Sequence, residues 1–250
     1  MIKIIITGAC GKMGKVIQNI VENRDDCQVV AGVDKHDDNQ RPFPVYGSIG
    51  EVKENADVVI DFSNPSLLDD LLDYGKSTNT ALVIATTGYD DCQKKKIEEA
   101  SNDCPVFFTY NYSLGINLLV TLAKKATQLL GDEFDIEIIE QHHNQKIDAP
   151  SGTALMLADA IAEEFDKPMK YEYDRHSKRE KRTKDEIGLH AVRGGTIVGE
   201  HQIIFAGRDE VITLSHSARS KEIFAVGAVN AAVYMAGKEP GMYNMSELVK

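Results

Sequence analysis

A chain of 250 residues with a net charge of -11 is long enough for one large or two modest hydrophobic cores, and two domains are the favoured reading. The acidity argues against nucleic acid or an anionic membrane as the main partner, while leaving room for a local basic pocket. Cys10, Cys27, Cys92 and Cys104 form no CxxC pair and are too few for a disulfide framework. With no secretory leader and no apolar run of membrane-spanning length, a cytoplasmic protein is expected.

Residues 3–7 form a β-branched run, followed at once by Gly8-Ala9-Cys10-Gly11-Lys12-Met13-Gly14 and then by Val16, Ile17, Ile20 and Val21 at helical spacing. Strand, glycine turn, helix is the order a dinucleotide site requires. Gly8 permits the tight turn, Gly11 lets backbone approach a pyrophosphate, and Gly14 allows the helix to pack closely on the strand. The spacing is GxxGxxG instead of GxGxxG, and glycines mark many strand-to-helix turns, so context has to carry the reading. The next strand, residues 28–33, ends at Asp34, whose carboxylate suits the ribose hydroxyls of an adenosine better than it suits a bare turn. Lys35 adds a cation suited to a 2′-phosphate, so use of both NADH and NADPH is expected. Residues 36–44 are polar and proline-bearing, and read as a loop.

Two more strand-helix pairs follow, residues 57–62 with 65–74 and 81–86 with 90–101, and this alternation predicts a Rossmann-like, doubly wound parallel sheet. Asp61-Phe62-Ser63 and Thr86-Thr87-Gly88 end predicted strands, on the edge where such sheets bind ligands, although helix capping explains either one equally well. Residues 105–109 add a strand that leads into Tyr110-Asn111-Tyr112-Ser113, and residues 114–130 form a long apolar-periodic helix that leaves the nucleotide domain.

Ile136, Ile138 and Ile139 beside Glu137 and Glu140 read as a half-buried strand over residues 133–141, although Ile138-Ile139 breaks the alternation. It delivers a polar loop carrying His142, His143 and Lys146. The loop runs into Pro150 and then Ser151-Gly152-Thr153, ahead of a helix marked by Leu155, Leu157, Ala158, Ile161 and Phe165. Ser151 is the expected N-cap, and Gly152 and Thr153 offer helix-start N–H groups to an anion. One histidine or lysine alone is more often an ordinary surface side chain. Clustered beside an anion cradle, they point to acid–base work on a small acidic substrate. No metal site is expected, because adjacent histidines on extended backbone face opposite sides and no further ligand follows at zinc spacing.

Residues 167–184 are dense in charge and read as a solvated connection, with only Tyr171 and Tyr173 available to stack on a base, so no nucleic-acid role is expected. From residue 189 to 216 the pattern predicts a meander of strands through Thr196-Ile197-Val198, Ile203-Ile204-Phe205 and Val211-Ile212-Thr213-Leu214, the open mixed sheet of a second, α+β domain. Residues 222–235 form an alanine-rich helix, apolar almost all round and therefore buried between layers or domains, which Gly237 and Pro240 stop. The expected division is a dinucleotide-binding domain at residues 1–112, a substrate-binding and oligomerisation domain at 113–220, and a C-terminal helix, 221–250, returning to the first.

The stretches GACGKMG, DFS, TTG, NYSLGIN, EIIEQHHNQKIDAPSGTAL, VRGGTIVGEH and FAVGA together resemble the dihydrodipicolinate reductases (4-hydroxy-tetrahydrodipicolinate reductases) of the diaminopimelate route to lysine, with matches from Gly8 to Val233. The resemblance implies reduction of a small cyclic imine dicarboxylate by NADH or NADPH. It implies His142 as the acid–base residue, Lys146 as proton donor, and His143, Gly152 and Thr153, at the helix start with Ser151, as substrate-binding residues. Gly8, Ala9, Cys10, Gly11, Lys12, Met13, Asp34, Ala85, Thr86, Thr87, Thr109, Tyr110, Asn111 and Tyr112 would line the cofactor beside Lys35. A homotetramer joined through the second domain's sheet is also implied. Two positions depart from the family pattern: Ala85 replaces the first glycine of a GTTG turn, and Lys221 stands where arginine is more usual, with Arg219 nearby. The rival readings are another NAD(P)-dependent amino- or imino-acid dehydrogenase, against which the HHNQK loop and PSGTA speak, and a non-catalytic NAD(P)-sensing regulator, which has no need of the proton donors.

Overall fold

The computed structural model describes residues 1–37 and 41–249, so the loop expected at 36–44 lies partly outside the described residues. The chain divides into two compact units, Met1–Leu114 with Glu222–Lys250, and Gly115–Lys221. Among the described residues no helix is long and apolar enough to cross a membrane.

The first unit is built on a seven-stranded sheet: β1 (Ile2–Thr7), β2 (Cys27–Val33), β3 (Val45–Tyr46), β4 (Val58–Asp61), β5 (Ala81–Ile84), β6 (Pro105–Phe108) and β12 (Gly241–Tyr243). The strands lie in the order β12-β6-β5-β4-β1-β2-β3, and every pairing is parallel. Alternation along β1 splits the core in two. Ile4 and Ile6 face α1 (Lys12–Glu22) and α6 (Glu222–Met235), whereas Ile5 faces α2 (Leu68–Thr78) and α3 (Asp91–Ala100). Both faces are therefore covered, the doubly wound Rossmann-like arrangement expected from the alternation of elements. Because the chain starts in the middle of the sheet, its order reverses between β1 and β4, which opens a crevice at their C-terminal ends.

The alanine-rich α6 is buried along most of its length, through Ala225, Ala228, Val229, Ala231, Ala232 and Met235. A Cβ on its Gly227 would drive into the carbonyl oxygen of Tyr112, so this glycine lets the helix lie directly on that backbone. Residues 221–250 are not one helix, however. The helix ends at Met235, Gly237 takes φ +73, and the chain adds β12 beside β6 at the sheet edge. A three-residue edge strand after a proline is too short to show a period of two.

In the second unit, β7 (Asp135–His142), β8 (Lys170–Glu172), β9 (Glu186–Arg193), β10 (Gly199–Ala206) and β11 (Val211–Ala218) form a mixed sheet in the order β11-β10-β7-β9-β8. Helices α4 (Leu114–Leu130) and α5 (Gly152–Ala162) pack on one face, where Ile116, Leu119, Leu157 and Ile161 meet Ile136, Ile138, Leu189, Ile203 and Phe205. Two expectations are corrected here. Thr196-Ile197-Val198 is not a strand: Gly195 at φ +49 turns the chain, and β10 begins only at Gly199. Nor do the strands meander in sequence order, because β7 separates β9 from β10, parallel to the first and antiparallel to the second. The charge-dense stretch 167–184 also proves partly anchored. Arg182 reaches Glu137, Asp135 and the Ile136 carbonyl, and Arg175 pairs with the buried Glu186.

Candidate active site

The cofactor candidates of the first unit gather at the C-terminal edge of its parallel sheet. Gly8 sits at φ +73, and a Cβ there would strike the Phe62 carbonyl oxygen after β4, so the loop after β1 is drawn against the loop after β4 by the lack of a side chain. Gly14 is equally constrained, its missing Cβ standing against Gly8 and Ala9 backbone. The cap of α1 is Gly11, which contributes no side-chain acceptor, so no cap side chain stands between the first-turn N–H groups at Lys12, Met13 and Gly14 and an approaching anion. Asp34, just past β2, accepts from the Cys10 N–H at 2.9 Å and the His36 N–H at 3.1 Å, which fixes its carboxylate beside the glycine loop with Lys35 exposed next to it.

The other candidates have divided roles. Ala9 is buried beneath the loop; Gly11, Lys12, Thr87 and Tyr110 are exposed, and Cys10, Met13 and Thr109 are half-buried. Ala85 continues β5, its N–H on the Asp61 carbonyl at 2.9 Å. Thr86 is buried, and its hydroxyl takes the Ser63 N–H at 2.7 Å. Asn111 is buried with its Oδ1 on the Ser113 N–H. Tyr112 is buried and spends its hydroxyl on the carbonyls of Ile84 at 2.8 Å and Phe107 at 3.3 Å, so it braces the sheet edge and offers a ligand no hydroxyl. Between β1 and β4, Asp61 accepts from Thr7 and Ser63 at 2.5 Å each and from Tyr89 at 3.3 Å. Burial and this carboxylate push the Tyr89 phenol far above its ordinary value. These residues match what an NAD(P) group needs: bare helix-start amides for its phosphates, a carboxylate for a ribose, and a cation alongside.

The second unit holds the proton-transfer candidates at one edge of its sheet. Inward positions of β7 alternate Ile136, Ile138, Glu140 and His142, which resolves the broken pattern: Ile139 faces outward and Glu140 inward. Registration then places Arg193 of β9 opposite His142 and His201 of β10 opposite Glu140. Glu140 is only 1% exposed, yet every lone pair it needs to use has a partner. Arg193 grips both of its oxygens at 2.7 Å, the Ser151 N–H binds one at 3.0 Å, and His142 Nδ1 lies 2.6 Å from the other. Burial pushes the Glu140 pKa up, but the hydrogen bonds from Arg193, His142 and Ser151 outweigh it and hold the group below its ordinary value. For His142 burial wins over the neighbouring carboxylate, and its pKa falls below the ordinary imidazole value.

His143 leaves the strand end half-buried, and the following turn places Lys146, whose ammonium meets Asp148 at 2.8 Å. Gly194 and Gly195 tie this loop to the end of β9 through bonds to the His142 carbonyl and the Asn144 N–H. Ser151 does cap α5, its hydroxyl accepting from the Ala154 N–H at 3.2 Å, but it is buried and faces His201 Nε2 at 3.2 Å, so its side chain serves the scaffold. Gly152 is exposed with open space around it, and Thr153 beside it is half-buried.

Sequence reasoning overlooked Glu140, Arg193 and His201 as site residues. The available signal was parity: Glu140 lies two positions before His142 and therefore on the same side of the strand, the side of Ile136 and Ile138. Arg193 and His201 sit in one short motif, VRGGTIVGEH, but only strand pairing shows that they converge on Glu140. The assembled edge can hold an anion at a helix start, move a proton through a buried imidazole and donate one from an ammonium.

The family described as "Dihydrodipicolinate reductase, N-terminus" matches residues 2–112, and "Dihydrodipicolinate reductase, C-terminus" matches residues 115–249. Among curated relatives, a 4-hydroxy-tetrahydrodipicolinate reductase of Caldanaerobacter subterraneus subsp. tengcongensis is 52% identical over 100% of this chain and 99% of its own length. One from Clostridium novyi is 48% identical over 100% of this chain and 99% of its own. Among solved structures, a dipicolinate-bound dihydrodipicolinate reductase from Paenisporosarcina sp. TG-14 superimposes with a TM-score of 0.81 at 26% identity, covering 100% of both chains.

Proposed function

The chain belongs to the dihydrodipicolinate reductase family, NAD(P)H-dependent oxidoreductases of the diaminopimelate route to lysine, and on that footing we propose that it reduces 4-hydroxy-tetrahydrodipicolinate to tetrahydrodipicolinate. The net change replaces a ring hydroxyl by hydrogen: the C–O bond breaks, the hydroxyl leaves with a proton as water, and a C–H bond forms. Reduced nicotinamide, when bound, supplies the hydride. The chain's own residues must then hold two carboxylates and handle the proton. In this reading Gly152 and Thr153 present helix-start N–H groups to one carboxylate, assisted by His143, and Lys146 donates a proton while His142 acts as the acid–base group. The observation that carries the assignment is the placement of His142 at a buried ionic sheet edge that also positions the Lys146 loop and the start of α5. That a relative binds dipicolinate, a planar cyclic dicarboxylate, supports the substrate class.

For the cofactor, Gly8, Gly11 and the first turn of α1 would receive the pyrophosphate, Asp34 the adenosine ribose, and Lys35 a 2′-phosphate, so both NADH and NADPH are substrates in this account. The enzyme acts in the cytoplasm, in keeping with its four free cysteines. It assembles as a homotetramer through the second unit's sheet, whose β9 and β11 expose Val192, Val211 and Ile212; sedimentation as a stable monomer would overturn that. The catalytic reading is tested by incubating the protein with NADPH and enzymatically generated substrate while following the nicotinamide absorbance. Substrate-dependent oxidation is expected; oxidation at the background rate would overturn the assignment.

A further inference from the structure

We propose that Glu140, clamped by Arg193 and the Ser151 N–H, is the positioning residue of this enzyme: it holds His142 with its proton on Nδ1 and so leaves Nε2 as the atom that exchanges protons with the substrate. The proposal rests on the reading of His142 as the acid–base group and names the atom and the device behind it.

A carboxylate that takes a bidentate guanidinium and a backbone N–H is held in its ionised, acceptor-only form. The ring nitrogen 2.6 Å from it must therefore be the one carrying hydrogen, which fixes Nδ1–H and puts the lone pair of the neutral ring on Nε2. Nε2 in turn points past Gly199, where an added Cβ would stand 3.1 Å away. Gly199, the first residue of β10, thus keeps the approach to Nε2 clear on that side.

Arg193 has a second consequence. The charged and titratable groups facing His142 are Glu140 on its own strand, Arg193 from β9, His201 from β10 and Lys146 from the loop. A lone buried carboxylate would draw a proton onto the imidazole and leave it a permanent cation. With the guanidinium bound across both oxygens, the pair is nearly neutral, burial dominates, and His142 stays uncharged and able to accept. His201 adds no charge of its own. Its ring meets His142 edge-on at 5.2 Å between centroids, and burial pushes its pKa down to about 4. Arg193 also donates to the Asp148 carbonyl at 2.6 Å, so one side chain both neutralises Glu140 and fastens the loop that carries Lys146.

The test uses the full-length protein with 15N-labelled histidine, because imidazole nitrogen shifts distinguish the two neutral tautomers and the cation. In the wild-type protein at neutral pH the His142 signals should show Nδ1 protonated and Nε2 bare; an Nε2–H tautomer or a cation would overturn the proposal without any variant having to fold. In Glu140→Gln the amide oxygen is expected to turn to Arg193 and the NH2 to Nδ1, which drives the proton to Nε2. Turnover should then fall by about a hundredfold or more, with KM within about twofold. Arg193→Met should raise the His142 pKa by about one unit or more, read from the same signals. A folded Glu140→Gln protein with wild-type turnover and tautomer would overturn the positioning role. Near-normal turnover in His142→Ala would instead sink the acid–base reading on which it rests, while the tautomer measurement would still report on Glu140, so the two failures are distinguishable.

Discussion

The starts of α1 and α5 are both read as anion sites, yet they are made in opposite ways. At α1 the site consists of missing side chains: Gly11 caps without an acceptor, and Gly8 and Gly14 let backbone segments touch. At α5 a serine caps the helix, and behind it stand a buried carboxylate, a guanidinium and two imidazoles drawn from three strands. In the proposed reading the first cradle needs only to hold phosphate oxygens, for which backbone N–H groups suffice. The second, as proposed, would have to hold a carboxylate and also move a proton, which requires ionisable groups kept at defined charge in a dry place. Binding can thus be written in a local glycine pattern, while acid–base chemistry demands a tertiary assembly.

Breaking the backbone cradle should have the largest effect. Gly8→Ala forces a side chain onto the Phe62 carbonyl at φ +73, and a loss of roughly 3 kcal/mol of stability, with cofactor affinity reduced together with it, is expected from overpacking and strain. Thermal unfolding and cofactor fluorescence titration check this; an unchanged melting temperature would mean that the two loops are not in such close contact.

The ionic edge should show itself through pH. His201 has a folded pKa of about 4 against an ordinary value of 6.5, so the unfolded chain takes up its proton first as pH falls. The contribution of His201 should therefore be complete above pH 6.5 and be lost on acidification towards pH 4, by roughly 3 kcal/mol, with His142, whose pKa is also lowered by burial, adding to the decline in the same direction. Glu140, whose pKa is depressed, extends the loss to lower pH. His201→Gln should flatten the decline between pH 6.5 and 4 in urea-unfolding midpoints, whereas an unchanged slope would show that another group titrates there.

These two regions were unequally legible in the sequence. The glycine loop, Asp34 and the α5 cap follow from local order, since strand, turn and helix succeed one another within a few residues and each position has a backbone reason. Glu140, Arg193 and His201 are far apart in the chain and meet only through the β7–β9 and β7–β10 registers. Thr196-Ile197-Val198 misled for the opposite reason: its β-branched composition suits a strand, but Gly194 and Gly195 bind the loop after β7 and force a turn. In the stretch 167–184, charge suggested solvation, while Arg182 and Arg175 are used to satisfy acceptors on β7 and β9.

Smaller effects sharpen the contrast at the rims of the two units. Lys35→Ala should weaken NADPH about tenfold and leave NADH nearly unchanged, the size of one charge-assisted contact with a 2′-phosphate. Equal loss for both would remove Lys35 from cofactor recognition. Lys221 is exposed at the end of the second unit, as is Arg219. Lys221→Arg should change KM for the substrate by about twofold or less, in the favourable direction if a carboxylate is near, because a guanidinium can offer two donors where an ammonium offers a point charge. A large loss of turnover would show that the site depends on lysine there.

The most direct test of the account is steady-state reduction by His142→Ala and Lys146→Ala alongside the wild-type enzyme, with NADPH affinity measured on the same samples. Each substitution should lower turnover by roughly a hundredfold or more, the scale of lost general acid–base catalysis, and leave cofactor affinity nearly unchanged. Near-normal turnover in both would contradict the assignment of proton transfer to this edge of the sheet.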